Sequence, residues 1–168
     1  MASSTEPRAA RPYMPGYGIS GSEEGLLPWS WALTRLRDSH DYWVATVWPD
    51  GRPHSMPVWG VWDEAGTLWF SSSLRSRKIR NIRAGSAVVL STEDPRNPVV
   101  LEGTAEIVTE PVALRGFLDG MNAKYGTGYT LEFLDPAKNA SVRVRPVWAF
   151  GVTETDFEGS PTRWEFGP

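Results

Sequence analysis

The spacing of hydrophobic residues changes several times along this chain, and each change predicts a new element. Apolar residues recur every three to four positions in residues 26–39 and 111–126, which predicts two helices. Pro28 suits the first turn of the earlier helix, which we expect to end near Ser39. A third, shorter helix is predicted over residues 76–85, because Ser76 is a good N-cap and Gly85 a natural C-cap.

Between these helices, apolar and polar residues alternate, which predicts strands. Tight turns such as "PDGR" connect them, so the pairing should be mostly antiparallel. The fold class indicated is mainly β with flanking helices, arranged as a small antiparallel β-barrel with the helices packed outside. The predicted strands are residues 41–48, 53–62, 68–73, 86–92, 98–108 and 141–152.

Two prolines interrupt the second strand, at positions 53 and 57. Proline donates no backbone hydrogen bond, so this strand should lie at a sheet edge or where its backbone is otherwise engaged. We expect it beside the strand at residues 68–73. Its amides between the prolines would then be available to the polar edge of a flat heterocycle.

The ends and the composition set the domain organisation. Residues 1–25 are rich in Ser, Pro, Gly and Ala without apolar periodicity, which predicts a flexible arm, lying over a partner subunit. Residues 26–168 form one domain, at 40% hydrophobic and 22% charged residues an ordinary globular balance. The chain has no cysteine, which excludes disulfides, thiolate metal sites and cysteine nucleophiles. Without a membrane-length apolar run or a signal peptide, we expect a cytoplasmic protein.

A short basic stretch stands out in a chain of net charge −3. Residues 75–83 hold five basic side chains, and no acid occurs between Ala65 and Thr92. Arg77 and Lys78 would fall in the first helical turn, where the helix dipole disfavours cations by roughly 0.3–1 kcal/mol each. A bound anion, best a phosphate, resolves this conflict; a solvated basic helix face is the alternative. Arg80 and Arg83 are interpreted as surface charges.

The residues around this stretch resemble a known family. The segments "YWVATVWPDGRPHSMPVWGVWDEAGTLWFSSSLRSRKIRNI" and "PVVLEGTAEIV" are similar to the flavin/deazaflavin oxidoreductases of the pyridoxamine 5′-phosphate oxidase-like FMN-binding split β-barrel superfamily. The likeness covers residues 26–151 and is strongest to the actinobacterial branch that uses coenzyme F-420. It implies a six-stranded split β-barrel, a homodimer and a cofactor groove at the dimer interface.

The resemblance also implies the cofactor-binding residues. A phosphate clamp would comprise Ser71, Ser72, Arg77 and Lys78, with Ser76 as the cap and Asn81 behind it. The backbone of Ser55, Met56, Pro57, Val58 and Trp59 would line the ring system, and Trp148, Arg163 and Trp164 would reach it from the second subunit. The substrate-phosphate residues of true pyridoxamine phosphate oxidases are not found, so we do not expect vitamin B6 oxidation.

The function expected is hydride transfer from F-420 to a conjugated small molecule. The alternatives are an FMN-binding oxidoreductase of the same fold and a non-enzymatic carrier. No acid–base dyad is visible, so no catalytic residue and no metal ligand are assigned; neither nucleic acid nor membrane is expected as a partner. Lys124 and Tyr125 are candidates at the edge of a substrate pocket, and Glu102 is a candidate buried partner or proton source. His54 is a weaker candidate haem ligand.

Overall fold

Six long antiparallel strands build most of the molecule, and three helices pack against them. The computed structural model describes residues 6–167, and all elements below lie within that range. The strands are β1 (Arg8–Ala10), β2 (Asp41–Val47), β3 (Pro53–Trp59), β4 (Val61–Trp62), β5 (Leu68–Ser73), β6 (Ala87–Thr92), β7 (Val99–Val108), β8 (Asn139–Gly151) and β9 (Thr162–Glu165). The helices are α1 (Trp29–Asp38), α2 (Arg77–Ala84) and α3 (Pro111–Tyr125).

The strands form one sheet in the order β1-β9-β8-β7-β6-β2-β3, and β5 branches from β8 to pair with β4. The six-stranded antiparallel split barrel is confirmed in β2, β3, β5, β6, β7 and β8. The expected neighbour of β3 is wrong, however. Among residues 6–167, β3 pairs only with β2, whereas its short continuation β4 pairs with β5. The barrel wall therefore has a gap between β3 and β5, which we call the split.

The core lies on the inner face of the curled sheet. Along β2 the even-numbered residues are buried, and the same alternation recurs in β6 and β7, as expected for strands with one face against a core. Fully buried members include Tyr42, Phe70 and Trp164. A second cluster packs α3 against the other face of β5, through Trp69 and Phe117.

A β-bulge in β8 is fixed by a glycine. The register between β7 and β8 shifts after Glu102, where Val147 has no partner in the neighbouring strand. A Cβ on Gly103 would lie 2.4 Å from the carbonyl oxygen of Arg145, so only glycine fits this close approach of two strands.

Part of the predicted N-terminal arm is regular structure. Strand β1 pairs with β9, and the Arg11 side chain donates to the carbonyl oxygens of Ser22, Glu24 and Pro161. Within the described residues 6–25, the strand is confined to Arg8–Ala10, and the flexibility of the arm stays a prediction. The pairing comes from an edge that β9 offers, which the composition of the arm does not reveal. Residues 1–5 lie outside the described residues.

Candidate functional site

The free edge of β3 forms one wall of the split. The β2–β3 turn places Gly51 at φ +88°, and Trp48 N–H donates to the carbonyl of Arg52 at 2.9 Å. Hydrogen-bonded and non-hydrogen-bonded pairs alternate from there in an antiparallel ladder. Residues 53, 55, 57 and 59 therefore direct their backbone polar groups away from β2.

This alternation of backbone direction explains why β3 tolerates two prolines. Pro53 and Pro57 occupy positions whose nitrogens face the free edge, so the missing N–H groups cost the ladder nothing. Between them, Ser55 presents a free N–H and C=O to the split, and Trp59 does so at the far end. The backbones of Met56 and Val58 instead pair with β2. Among the residues expected to line a ring, Ser55, Pro57 and Trp59 can therefore act through the backbone.

The split exposes a side chain that a closed barrel would bury. Met56 lies opposite Val44 in the ladder and on the same face, yet Met56 is 45% exposed while Val44 is fully buried. The inner face is thus open at β3, and the opening borders the strand whose amides are free. A flat ligand can reach both features from the same side.

Three predicted clamp residues converge on the opposite wall. Ser76 caps α2 and its hydroxyl accepts from the N–H of Ile79, as predicted. The Ser72 Oγ lies 3.1 Å from the Ser76 Oγ, and the Lys78 Nζ donates to the Ser72 Oγ at 3.3 Å. Two hydroxyls, one ammonium and the first amides of a helix therefore meet at one point, a donor set that suits a phosphate.

The electrostatics of this point favour an anion. Lys78 is half-buried, and desolvation lowers the pKa of its ammonium. No carboxylate of residues 6–167 lies within 4.0 Å of Lys78 or Arg77. Desolvation and the charges of Arg80 and Arg52 likewise lower the pKa of Arg77. Asp50 acts on the pKa of Arg77 in the opposite direction. An anion placed here would relieve the repulsion that remains.

Arg77 is held in a way that the sequence did not reveal. Its guanidinium stacks on the Trp48 ring, with Cζ 3.4 Å from the ring centroid. Its Nε is buried and has no hydrogen-bond partner within the described chain. The cation therefore stands at the β2–β3 turn beside the clamp, with an unused donor. Nothing in the sequence indicates that the tryptophan after β2 will stack on this arginine.

Two other predicted clamp residues lie elsewhere. Ser71 precedes Ser72 in β5, so their side chains alternate and that of Ser71 points to the opposite face. Asn81 is 1% exposed and its amide donates to the Thr46 hydroxyl at 3.0 Å, which holds α2 against β2. Its side chain thus supports helix α2 from behind the clamp.

The residues expected from a second subunit separate into two groups. Trp164 is fully buried among Trp29 and Trp31, so its assignment to a partner's cofactor is wrong. It occupies an inward position of β9, whereas Arg163 next to it faces outward. There the Arg163 guanidinium lies 4.6 Å from the ring centroid of Trp148. Trp148 and Arg163 therefore remain together on the outer face of the sheet.

That outer face is apolar over several strands. Trp43, Val47 and Val147 are 48%, 55% and 54% exposed. A groove of about 380 Å³ crosses it, lined by Val47, Val89, Glu102 and Val147 among others. Glu102 lies on this groove, which also reaches Pro53 at the start of β3. An exposed apolar face of this extent is typical of a protein interface.

His54 faces the inner side of β3, opposite Thr46, and its Nδ1 is buried without a partner in the described chain. No cluster of three or more His, Asp or Glu side chains suited to a metal occurs among residues 6–167. Within the same residues, no helix has the length and apolar character needed to cross a bilayer.

Comparison with known proteins assigns the family. The family described as Pyridoxamine 5'-phosphate oxidase matches residues 32–154, most of the chain, and the protein belongs to it. A solved structure named F420 Reductase is 31% identical, with a TM-score of 0.57 over 69% of this chain and 93% of its own. No curated protein gives a significant match.

Two further structures are similar in fold. The conserved hypothetical protein Rv2991 from Mycobacterium tuberculosis is 25% identical, with a TM-score of 0.66 over 86% of this chain and 88% of its own. General Stress Protein 26 from Bacillus anthracis str. Sterne is 16% identical, with a TM-score of 0.58 over 73% of this chain and 92% of its own. The family and its neighbours identify a flavin/deazaflavin oxidoreductase fold.

Proposed function

We propose that this protein is an oxidoreductase that holds coenzyme F-420 in the split and passes hydride to a conjugated small molecule. The observation that carries the proposal is the pairing of two walls. One wall is a strand edge with free amides at Ser55 and Trp59, and the other is the anion-binding cluster of Ser72, Ser76 and Lys78. A phosphorylated, flat, tricyclic cofactor needs both.

The residues present fit such a cofactor. Its phosphate would be held by Ser72, Ser76, Lys78 and the first amides of α2, with Arg77 beside them. Its ring would lie along β3, with the polar edge toward Ser55 and one end near Trp59. A bound deazaflavin or flavin supplies the hydride chemistry, while the protein supplies position and electrostatics. No acid–base dyad is required of the chain.

Two observations favour F-420 over FMN. The relative named F420 Reductase is 31% identical over 93% of its own length. Arg75 and Arg80 flank the clamp, are exposed, and form no ion pair within residues 6–167. F-420 carries an acidic tail beyond its phosphate, and these cations can receive it. FMN lacks that tail, so it would leave them unused.

We also propose a homodimer in which the outer face is the contact surface. Trp43, Val47 and Val147 supply apolar area, and Trp148 with Arg163 lies on the same face. In this arrangement Trp148 and Arg163 would approach the partner's split. Sedimentation at micromolar concentration should give a dimer; a monomer at that concentration would contradict a site shared by two chains. On the sequence grounds above, we assign the protein to the cytoplasm.

Equilibrium titration with F-420 and with FMN, followed by tryptophan fluorescence, tests the cofactor assignment. We expect F-420 to bind at least tenfold more tightly than FMN. The reverse order would assign the protein to FMN, and binding of neither would remove the proposal. Turnover of reduced F-420 with an enone or quinone acceptor then separates an enzyme from a carrier, because a carrier binds the cofactor without oxidising it.

A further inference from the structure

Gly60 joins the two walls of the candidate cofactor site. It lies between β3, whose edge is free, and β4, which pairs with β5 leading to Ser72. A Cβ at this position would lie 2.9 Å from the Tyr42 ring and 3.1 Å from the Trp69 carbonyl oxygen. The backbone at Gly60 is therefore in close contact on both sides, and its placement sets how β3 stands relative to β5.

The last turn of α3 grips the backbone of this one residue from outside the barrel. The Lys124 Nζ donates to the Gly60 carbonyl oxygen at 2.8 Å and to the Tyr42 hydroxyl at 2.7 Å. The Tyr125 hydroxyl accepts from the Gly60 N–H at 2.8 Å and lies 2.7 Å from the carbonyl oxygen of His40. Both polar groups of Gly60 are thus held by side chains more than 60 residues away in sequence.

The same turn also fixes the end of the cofactor strand. The Tyr125 ring stacks on the Trp59 ring at 4.3 Å between centroids and 6° between planes. His40 meets both rings edge-on, at 5.9 Å and 5.2 Å. Trp59 is still 39% exposed, so the stack leaves part of this ring open. A displacement of Tyr125 would therefore be transmitted directly to Trp59.

Lys124 occupies this place at a cost in stability. It is half-buried, and no carboxylate of the described residues lies within 4.0 Å of it. Burial lowers the pKa of its ammonium to about 8, although Asp38, Glu93 and Asp41 act in the opposite direction. An apolar side chain would cover the same surface without this desolvation penalty. What it would lack is the donor to Gly60.

We propose that Lys124 and Tyr125 are positioning residues, which hold the backbone of Gly60. In this way the β3 edge and the Ser72–Ser76–Lys78 cluster keep the separation that the cofactor requires. They act through Gly60 and Trp59. The part of the proposal that concerns the cofactor rests on the proposed function; the part that concerns Gly60 does not.

The test compares Lys124→Met and Tyr125→Phe with Lys124→Arg, which keeps cationic donors on a long side chain. Lys138→Met is the matched control, since Lys138 is exposed and pairs with Asp135. Amide hydrogen exchange at Gly60 is measured by NMR without cofactor, and F-420 affinity is measured separately. We expect Lys124→Met and Tyr125→Phe each to speed exchange at Gly60 at least tenfold and to weaken F-420 binding at least tenfold. Lys124→Arg should restore both to within about fivefold.

The two arms separate the possible failures. Unchanged exchange and affinity in both variants would overturn the positioning role. Faster exchange throughout the core strands, without a specific change at Gly60, would mean that the two residues contribute only to global stability. That result would also overturn the positioning role. If the wild-type protein binds neither F-420 nor FMN, the proposed function fails. Exchange at Gly60 still decides whether Lys124 and Tyr125 hold the backbone between β3 and β4. Tyr125→Phe removes one hydroxyl only, so it remains informative if Lys124→Met does not fold.

Discussion

Replacing Lys78 by methionine separates its contribution to cofactor binding from its contribution to folding. Methionine keeps most of the apolar side chain and removes the ammonium that contacts Ser72 at 3.3 Å. A hydrogen bond to a charged group contributes about 1.5–3 kcal/mol. Since about 1.4 kcal/mol is a factor of ten in affinity, the variant should bind F-420 about 10- to 150-fold more weakly.

The same substitution should leave the fold intact. Lys78 has no carboxylate within 4.0 Å in residues 6–167, and desolvation lowers the pKa of its ammonium. Its charge is therefore a liability in the absence of an anion. The substitution loses the contact with Ser72 but also relieves the desolvation of the ammonium. We expect these effects to offset, so that the free energy of unfolding stays within about 0.5 kcal/mol of wild type or rises slightly.

The assay is a fluorescence titration of wild type, Lys78→Met and Arg83→Met at about 0.1 M and about 1 M salt. Arg83 is the matched control, because it is an exposed cation in the last turn of the same helix. The difference in F-420 affinity between wild type and Lys78→Met should shrink at high salt, because the Debye length falls from about 10 Å to about 3 Å. Equal losses in both variants, or a loss below twofold for Lys78→Met, would refute the clamp.

Three further predictions concern the fold and the dimer. Gly103→Ala should cost at least about 2 kcal/mol in thermal unfolding, because its Cβ meets a carbonyl oxygen at 2.4 Å, whereas Gly116→Ala, with open space in α3, should gain about 0.5–1 kcal/mol. The pKa of Lys124 falls on folding from its ordinary value of 10.5 to about 8, so the unfolded state holds more protons between these values and stability rises with pH. Denaturant unfolding at pH 7.5 and 9.5 should therefore show wild type gaining roughly 1 kcal/mol relative to Lys124→Met, discounted for solvent screening; a constant difference would contradict this. Trp164→Ala should cost about 3–5 kcal/mol of stability, while Trp148→Ala should leave unfolding within about 1 kcal/mol and weaken the dimer in sedimentation.

Local signals in the sequence were sufficient for much of the fold. Helix α2 begins after Ser76 and ends before Gly85 because capping depends on adjacent residues. Pro53 and Pro57 marked β3 as an edge strand for the same reason: the missing N–H groups are a property of the residues themselves. These features needed no knowledge of the rest of the chain.

Features that depend on distant contacts were missed. Trp164 was placed in a cofactor site by the resemblance, which does not show whether a tryptophan lies on the inner or the outer face of a strand. The residues of β1 show no apolar alternation that would predict a strand. They form one because β9 offers an edge to pair with. Lys124 and Tyr125 were expected near a substrate pocket. Their contacts with Gly60 could not be predicted, because they join residues more than 60 positions apart in sequence. The contact of Arg77 with Trp48 likewise appears only in three dimensions.

The most direct test of the central claim is a hydrogen–deuterium exchange footprint of saturating F-420 on the wild-type protein. We expect two separate protected segments, residues 55–59 on the β3 edge and residues 72–79 from the clamp to the start of α2. Exchange in β7, whose Glu102 lies on the outer face, should change only to the extent that dimerisation changes. Binding without protection of both segments, or with protection confined to the outer face, would contradict the placement of the cofactor in the split.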